Sequence, residues 1–370
     1  MAHMVLAAVQ TGDRRIELRE FPHPAIGADD ALLRVEACGL CGSDVEQFHG
    51  ALVSLGLRYP TVPGHEPLGT IEEIGDVAAR RWGVQPGDRV AVEPIIPCGA
   101  CSACLSGRYT SCSGRPLTER LYSCIPTDHA PALWGGYAQY LYLHPNTLVH
   151  KVSNDVPAEL AVMFNPLGAG VRWPSHVPGT RLGDTVVIFG AGKRGVSCTI
   201  AAKAVGAGTV IVSDIAVARH KLELARVFGA DATIVADEEP VVDRVRELTR
   251  DQLADVVIDV SAYATKPVVD AIDVVKTGGT VVLAGLKGPK EVPGFLNDKV
   301  VMKAITIKGV FGVDRPAYAQ AIRIIESGRF PLERLHTHDF PLEQAARALE
   351  TLAGEVPGEA AAHVTIRPWA

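Results

Sequence analysis

Cys98, Cys101, Cys104 and Cys112 follow a C-x2-C-x2-C-x7-C spacing. Four thiolates complete a tetrahedral zinc, and two-residue loops let a chain wrap one ion without strain. The competing readings are four free thiols or two disulfides. No signal-peptide pattern follows Met1-Ala2-His3, which reads as a cloning remnant. The eight cysteines therefore belong to a reducing, cytoplasmic setting, where clustered thiols bind metal. A structural zinc is the expectation, stapling a surface lobe whose own core is small. Upstream stand Cys41, His65 and Glu66. Singly, each has an ordinary structural reading. Together, a thiolate, an imidazole and a carboxylate are the ligand types of a catalytic zinc that keeps one position open. Ser43 is close enough in sequence to carry off a substrate proton, and Asp44 to take the second ring N–H of His65.

Gly190-Ala191-Gly192-Lys193-Arg194-Gly195 is a G-x-G-x-x-G turn between a strand-like run and a helical one. That context brings a pyrophosphate onto a helix N-terminus. Asp214 lies about twenty residues on, where a carboxylate accepts the adenosine ribose hydroxyls and repels a 2′-phosphate, so NAD is favoured over NADP. Arg219 stands nearby as a coenzyme contact or as part of a solvated helix face, beside His220 and Lys221. Lys193 and Arg194 either add charge near the pyrophosphate or point to water. Cys38, Cys124 and Cys198 read as packing residues. Phe48, Trp134, Tyr137 and Trp173 line a pocket or fill the core. Structural zinc, a reactive metal and a dinucleotide together describe a redox enzyme.

Two kinds of element must position these groups. Up to about Lys151 the chain is short strand-like runs broken by Gly and Pro, such as 31–35, 69–71 and 88–92. After Pro157 it alternates strands at 185–189, 209–213, 232–235, 255–260 and 280–284 with helices at 195–205, 219–228, 241–253 and 266–275. Apolar runs without alternation indicate strands buried on both faces, hence a doubly wound parallel sheet that 305–309 closes. Helices at 318–326 and 342–352 and a strand at 362–366 return to the first domain. With 370 residues, two domains are the natural organisation. A net charge of −6 without blocks of one sign argues against a nucleic-acid surface, and no apolar run reaches the roughly 18 residues a membrane span needs.

These motifs resemble those of the zinc-dependent medium-chain dehydrogenases, the superfamily of alcohol, threonine and polyol dehydrogenases. The resemblance rests on Gly64-His65-Glu66-Pro67-Leu68-Gly69 with Gly75 and Ala78, on Cys41-Gly42-Ser43-Asp44, and on Gly135-Gly136-Tyr137-Ala138. It implies an α/β protein: a GroES-like catalytic domain over 1–156, a Rossmann coenzyme domain over 157–312 and a C-terminal return over 313–370, with the active site in the cleft between domains. It also implies Cys41 and His65 as catalytic-zinc ligands, Glu66 ligating in some states, Ser43 as proton relay, and Gly190, Gly192, Gly195 and Asp214 as coenzyme contacts. The family's further acidic or thiolate ligand is replaced here by Asn165, a neutral amide that reaches the metal directly or through water. Charge counting then predicts Glu66 as a direct ligand when substrate is absent. Glu46 stands where the family's alcohol dehydrogenases often end the relay with a histidine, and His49 is an alternative terminus. The expected reaction is NAD-linked oxidation of a simple or aryl alcohol, with Leu117, Leu121, Tyr122 and Trp134 as an apolar substrate wall. Polyol or amino-alcohol oxidation, or a non-catalytic NAD-binding scaffold, are the alternatives. The resemblance further implies a homodimer or homotetramer built partly by edge-to-edge pairing of coenzyme domains.

Overall fold

A computed structural model describes residues 4–370; the stretch read as a cloning remnant lies outside the described residues. Strands β1 (Met4–Gly12), β2 (Arg15–Pro22), β3 (Ala31–Gly39), β4 (Glu66–Ile74), β5 (Arg89–Val92), β6 (Tyr140–Leu143) and β7 (Val149–Lys151) come first. Six more follow: β8 (Thr185–Phe189), β9 (Thr209–Asp214), β10 (Ala232–Val235), β11 (Ala254–Asp259), β12 (Val275–Leu283) and β13 (Thr306–Gly309). β14 (His336–Pro341) and β15 (His363–Arg367) end the chain.

The chain forms two compact units. The first comprises residues up to Asn165, Ile325–Ser327 and His336–Ala370. Its main sheet runs β14-β15-β3-β4-β5-β7, with β6 also on β3, and β1 and β2 make a separate antiparallel pair. β3 is the hub: Val35, Ala37 and Cys38 are fully buried, and β4, β6 and β15 all pair with it antiparallel. One core packs Val5, Val9, Phe48, Tyr137 and Leu349 together, and another packs Val35, Ile71, Val90, Tyr122 and Trp134.

The second unit comprises Pro166–Ile324 and Gly328–Leu335. Its six strands are parallel in the order β10-β9-β8-β11-β12-β13, as the non-alternating apolar runs required. Val186, Val187 and Ile188 of β8 are fully buried. The order reverses between β8 and β11, which defines the switch point of a doubly wound sheet.

The chain leaves the first unit at 165/166, touches it again at Ile325–Ser327 and returns to it for good at 335/336, whereas the sequence reading placed the passages at 156/157 and 312/313. The helix Arg315–Glu326 explains the later return. Its Tyr318 ring sits against Gly168, Arg172 pairs with Asp314 at 2.9 Å, and His176 Nε2 lies 2.9 Å from Gln320 Oε1, all within the second unit. The helix expected over 241–253 stops at Leu248, because Arg250, Asp251 and Leu253 adopt left-handed backbone (φ 51°, 61° and 62°). Thr249 holds that ending by donating to the Val245 carbonyl and accepting from the Leu253 N–H. Among the described residues no helix is long and apolar enough to cross a membrane.

Candidate functional site

The four-cysteine lobe is built almost entirely by local chain. A short helix, Ser102–Leu105, starts directly after Cys101 and brings Cys104 back toward Cys98, their sulfurs 3.9 Å apart. A tetrahedron with sulfur ligands at about 2.3 Å has edges of about 3.8 Å, and a disulfide is far shorter. Among the described residues no cysteine is in a disulfide, which removes the disulfide reading. Backbone N–H groups of Ala100 and Cys101 point at Cys98 Sγ (3.5 and 3.3 Å), and that of Cys98 at Cys112 Sγ (3.5 Å). The N–H groups of Cys104 and Ser113 pull the Cys101 thiol well down, whereas burial pushes Cys104 up. At Cys112 burial opposes ionisation, but the N–H groups of Cys98 and Gly114 outweigh it and lower the pKa. Such amides stabilise thiolates, the form in which cysteine binds zinc.

The second cluster is assembled across a sheet. β3 ends at Gly39, directly opposite Glu66 of β4, and Cys41 lies just beyond it at the start of the helix Gly42–Phe48. Ligand atoms of Cys41, His65 and Glu66 all lie within 4.8 Å of one another, and all three residues are buried. Asp44 organises them. One carboxylate oxygen accepts the Cys41 N–H at 2.7 Å, and the other lies 2.9 Å from His65 Nδ1. With Nδ1–H donated to Asp44, Nε2 is the ring nitrogen left to present a lone pair. Burial alone would lower the His65 pKa, but the Asp44 charge and hydrogen bond, aided by Cys41, hold it well above 6.5. That electronegative setting and the N, S and O donor set fit zinc. Among the described residues, these two clusters are the only groups of three or more His, Cys, Asp or Glu gathered in this way.

Gly39 is a residue that sequence reasoning missed. A Cβ there would lie 2.6 Å from Glu66 Oε2, so the bare backbone makes room for the carboxylate. Its signal was only its place two residues before Cys41. Asn165 is 2 % exposed, within the helix Phe164–Val171. Ser43 and Glu46 are half-buried on the helix after Cys41. His49 Nε2 lies 3.2 Å from Glu355, which Arg14 also holds with two hydrogen bonds.

Two of the four residues expected to form an apolar wall lie in the core. Tyr122 is fully buried, its hydroxyl 2.6 Å from Thr147 Oγ1, and Trp134 donates to the His129 carbonyl at 2.8 Å. Both belong to the core beside β3 and β5, while Leu117 and Leu121 are half-buried. Phe48 and Tyr137 are likewise core, and Cys38, Cys124 and Cys198 are buried packing residues.

In the second unit the glycine turn follows β8 and opens the helix Lys193–Ala204. Gly190 has φ 104°, and a Cβ on Gly195 would collide with the Gly190 carbonyl oxygen. A Cβ on Gly192 would meet nothing, so that backbone faces open space where a phosphate can approach. Asp214 ends β9 with one oxygen accepting from the Ala191 N–H at 2.6 Å and the other from Ile215 N–H at 2.8 Å. Lys193 is buried, and the half-buried Arg194 carries its guanidinium 5.3 Å from the centre of the Trp173 ring. Arg219 is paired with Glu238 on the surface.

Residues 27–154 match the family described as alcohol dehydrogenase GroES-like domain, and residues 195–327 match zinc-binding dehydrogenase. The chain is 44% identical over 368 residues to a protein of Mycobacterium tuberculosis named a probable alcohol dehydrogenase, covering 99% of both. It is 33% identical to an erythritol/L-threitol dehydrogenase of Mycolicibacterium smegmatis, covering 94% of both. An alcohol dehydrogenase from Thermotoga maritima has a similar solved structure, with a TM-score of 0.87, 26% identity and 99% of both chains covered.

Proposed function

The chain belongs to the zinc-binding dehydrogenases with an alcohol dehydrogenase GroES-like domain, and from that membership we propose that it oxidises a simple or aryl alcohol to an aldehyde or ketone with NAD. It is an alcohol dehydrogenase-like oxidoreductase; substrate and coenzyme choice are the finer reading. The gathering of Cys41, His65 and Glu66 around one point, with His65 turned by Asp44, carries the proposal. The same gathering speaks against a non-catalytic scaffold.

Cys41 Sγ, His65 Nε2 and the Glu66 carboxylate would hold the catalytic zinc, with Asn165 as a further donor, and the four-cysteine lobe the structural one. When bound, zinc supplies Lewis acidity toward the substrate oxygen, and NAD supplies the hydride acceptor. Thiolate and carboxylate together would neutralise a divalent ion, so Glu66 would be a direct ligand when substrate is absent. Asp44 keeps the His65 proton on Nδ1. Ser43 accepts the proton that the alcohol hydroxyl gives up and passes it outward. Asp214, fixed by two backbone N–H groups, would meet the adenosine ribose and disfavour a 2′-phosphate. Gly192 leaves room for the pyrophosphate.

A polyol substrate is the second reading, favoured by the erythritol/L-threitol dehydrogenase relative. The loss of Tyr122 and Trp134 to the core removes one argument for aryl groups. A screen of NAD and NADP reduction across primary, secondary, aryl and polyhydroxy alcohols decides among these. Turnover with simple or aryl alcohols and NAD supports the proposal, and turnover confined to polyols replaces it. A homodimer or homotetramer is part of the same reading. β13 supports it as an outer strand with Thr306, Lys308 and Gly309 exposed, and light scattering tests it.

A further inference from the structure

β11 ends at Asp259, whose side chain is fully buried. Its Oδ1 accepts the Ser261 N–H at 3.0 Å and the Ser261 hydroxyl at 2.6 Å, and its Oδ2 pairs with Lys287 Nζ at 2.8 Å. Lys287 also donates to the Ser261 carbonyl at 2.6 Å and to Ser261 Oγ at 3.0 Å. Two of the three ammonium N–H donors thus go to Ser261, and the charge itself is met by the Asp259 carboxylate. Lys287 is therefore locked in place and is not a spare cation waiting for a phosphate. The Asp259 carbonyl in turn accepts from the N–H groups of Ala284 and Gly285, both at 2.9 Å, so the segments after β11 and β12 are fastened to each other.

The location gives this clamp its meaning. β8 and β11 are neighbours whose connections leave in opposite directions, and the crevice beyond their C-terminal ends is where such sheets bind ligands. The Ser261 N–H group is part of that crevice's wall: a Cβ on Gly190 would lie only 3.1 Å from its nitrogen. Burying an ion pair is a poor way to gain stability, because an apolar pair of the same shape does as well or better. Fixing a wall before the ligand arrives, however, removes an ordering cost from binding.

We propose that Asp259, Ser261 and Lys287 form a positioning clamp that presets the wall opposite the glycine turn and so sets affinity for the dinucleotide. The inference rests on the coenzyme reading above. Lys287 touches neither substrate nor coenzyme in this assignment and acts through Ser261.

The test titrates NADH and NADPH by fluorescence against the zinc-loaded wild type, Lys287→Met and the double variant Asp259→Asn/Lys287→Met, with melting temperatures alongside. Both variants are expected to weaken the preferred coenzyme about tenfold. KM for that coenzyme should rise in step, while KM for the alcohol stays within about twofold, a split that general loosening would not give. Lys287→Met leaves a buried carboxylate unpaired, so it should melt well below wild type, whereas the double variant recovers most of that loss. Should the single variant not fold, the double variant decides. A folded double variant that binds coenzyme as tightly as wild type overturns the clamp, as does a loss confined to kcat. Wild type binding neither NADH nor NADPH overturns the coenzyme reading itself, and the clamp with it.

Discussion

Cys98, Cys101, Cys104 and Cys112 reach one another through a loop and a four-residue helix, whereas Cys41, His65 and Glu66 meet only because β3 and β4 pair in register. The first cluster is half-exposed and held by its own backbone N–H groups; the second is buried and ordered by one carboxylate, Asp44. Local wrapping suits an ion that is only required to hold a lobe. Assembly across a sheet suits one whose ligands need fixed orientation and whose last position must stay available. The two sites should accordingly fail in opposite ways.

The largest effect is expected at the open cluster. Cys41→Ala should lower turnover by about 10³-fold or more, with a melting temperature close to wild type, since Lewis acidity is worth several kcal/mol in the transition state. Steady-state kinetics and calorimetry on one preparation check both halves. Cys104→Ser should show the reverse. Loss of a structural zinc ought to lower the melting temperature by roughly 5–10 °C while folded molecules keep a turnover near wild type. If each variant damaged activity and stability alike, the division of labour would be wrong.

Ser43→Ala sharpens the comparison within the open site. Turnover should fall by about 10²-fold with coenzyme affinity nearly intact, and equal turnover would remove Ser43 from the proton path. Asp44→Asn keeps the shape but weakens the hold on His65 Nδ1, with an expected loss of about tenfold in zinc affinity, read by chelator competition. Gly39→Ala should have the smallest effect. The new methyl group would press on Glu66 Oε2 and shift the carboxylate, weakening zinc a few-fold at this cluster alone. Unchanged zinc affinity in that variant would mean that Glu66 is not a ligand in the resting state.

The same contrast governs what could be read from the amino-acid order. The thiolate lobe was visible in spacing alone because its geometry is local. The strands Thr185–Phe189 and Ala232–Val235 were visible too, as compact runs bounded by turn residues. β14 was not, since His336-Thr337-His338-Asp339 carries no apolar run and becomes a strand through pairing with β15. Cys41, His65 and Glu66 were recognisable as ligand types, but their meeting depends on strand register, which no short window encodes. Tyr122 and Trp134 looked able to face a substrate. Only the packing beside β3 and β5 shows them turned inward. Gly39 and the Asp259–Lys287 clamp escaped notice for the same reason, each acting on a neighbour distant in sequence.

Metal analysis of the purified wild type beside Cys41→Ala tests the account most directly. About two zinc ions per chain are predicted for the wild type and about one for the variant, with the melting temperature little changed. One ion per wild-type chain, or two retained without the Cys41 sulfur, would contradict an open zinc site at Cys41, His65 and Glu66.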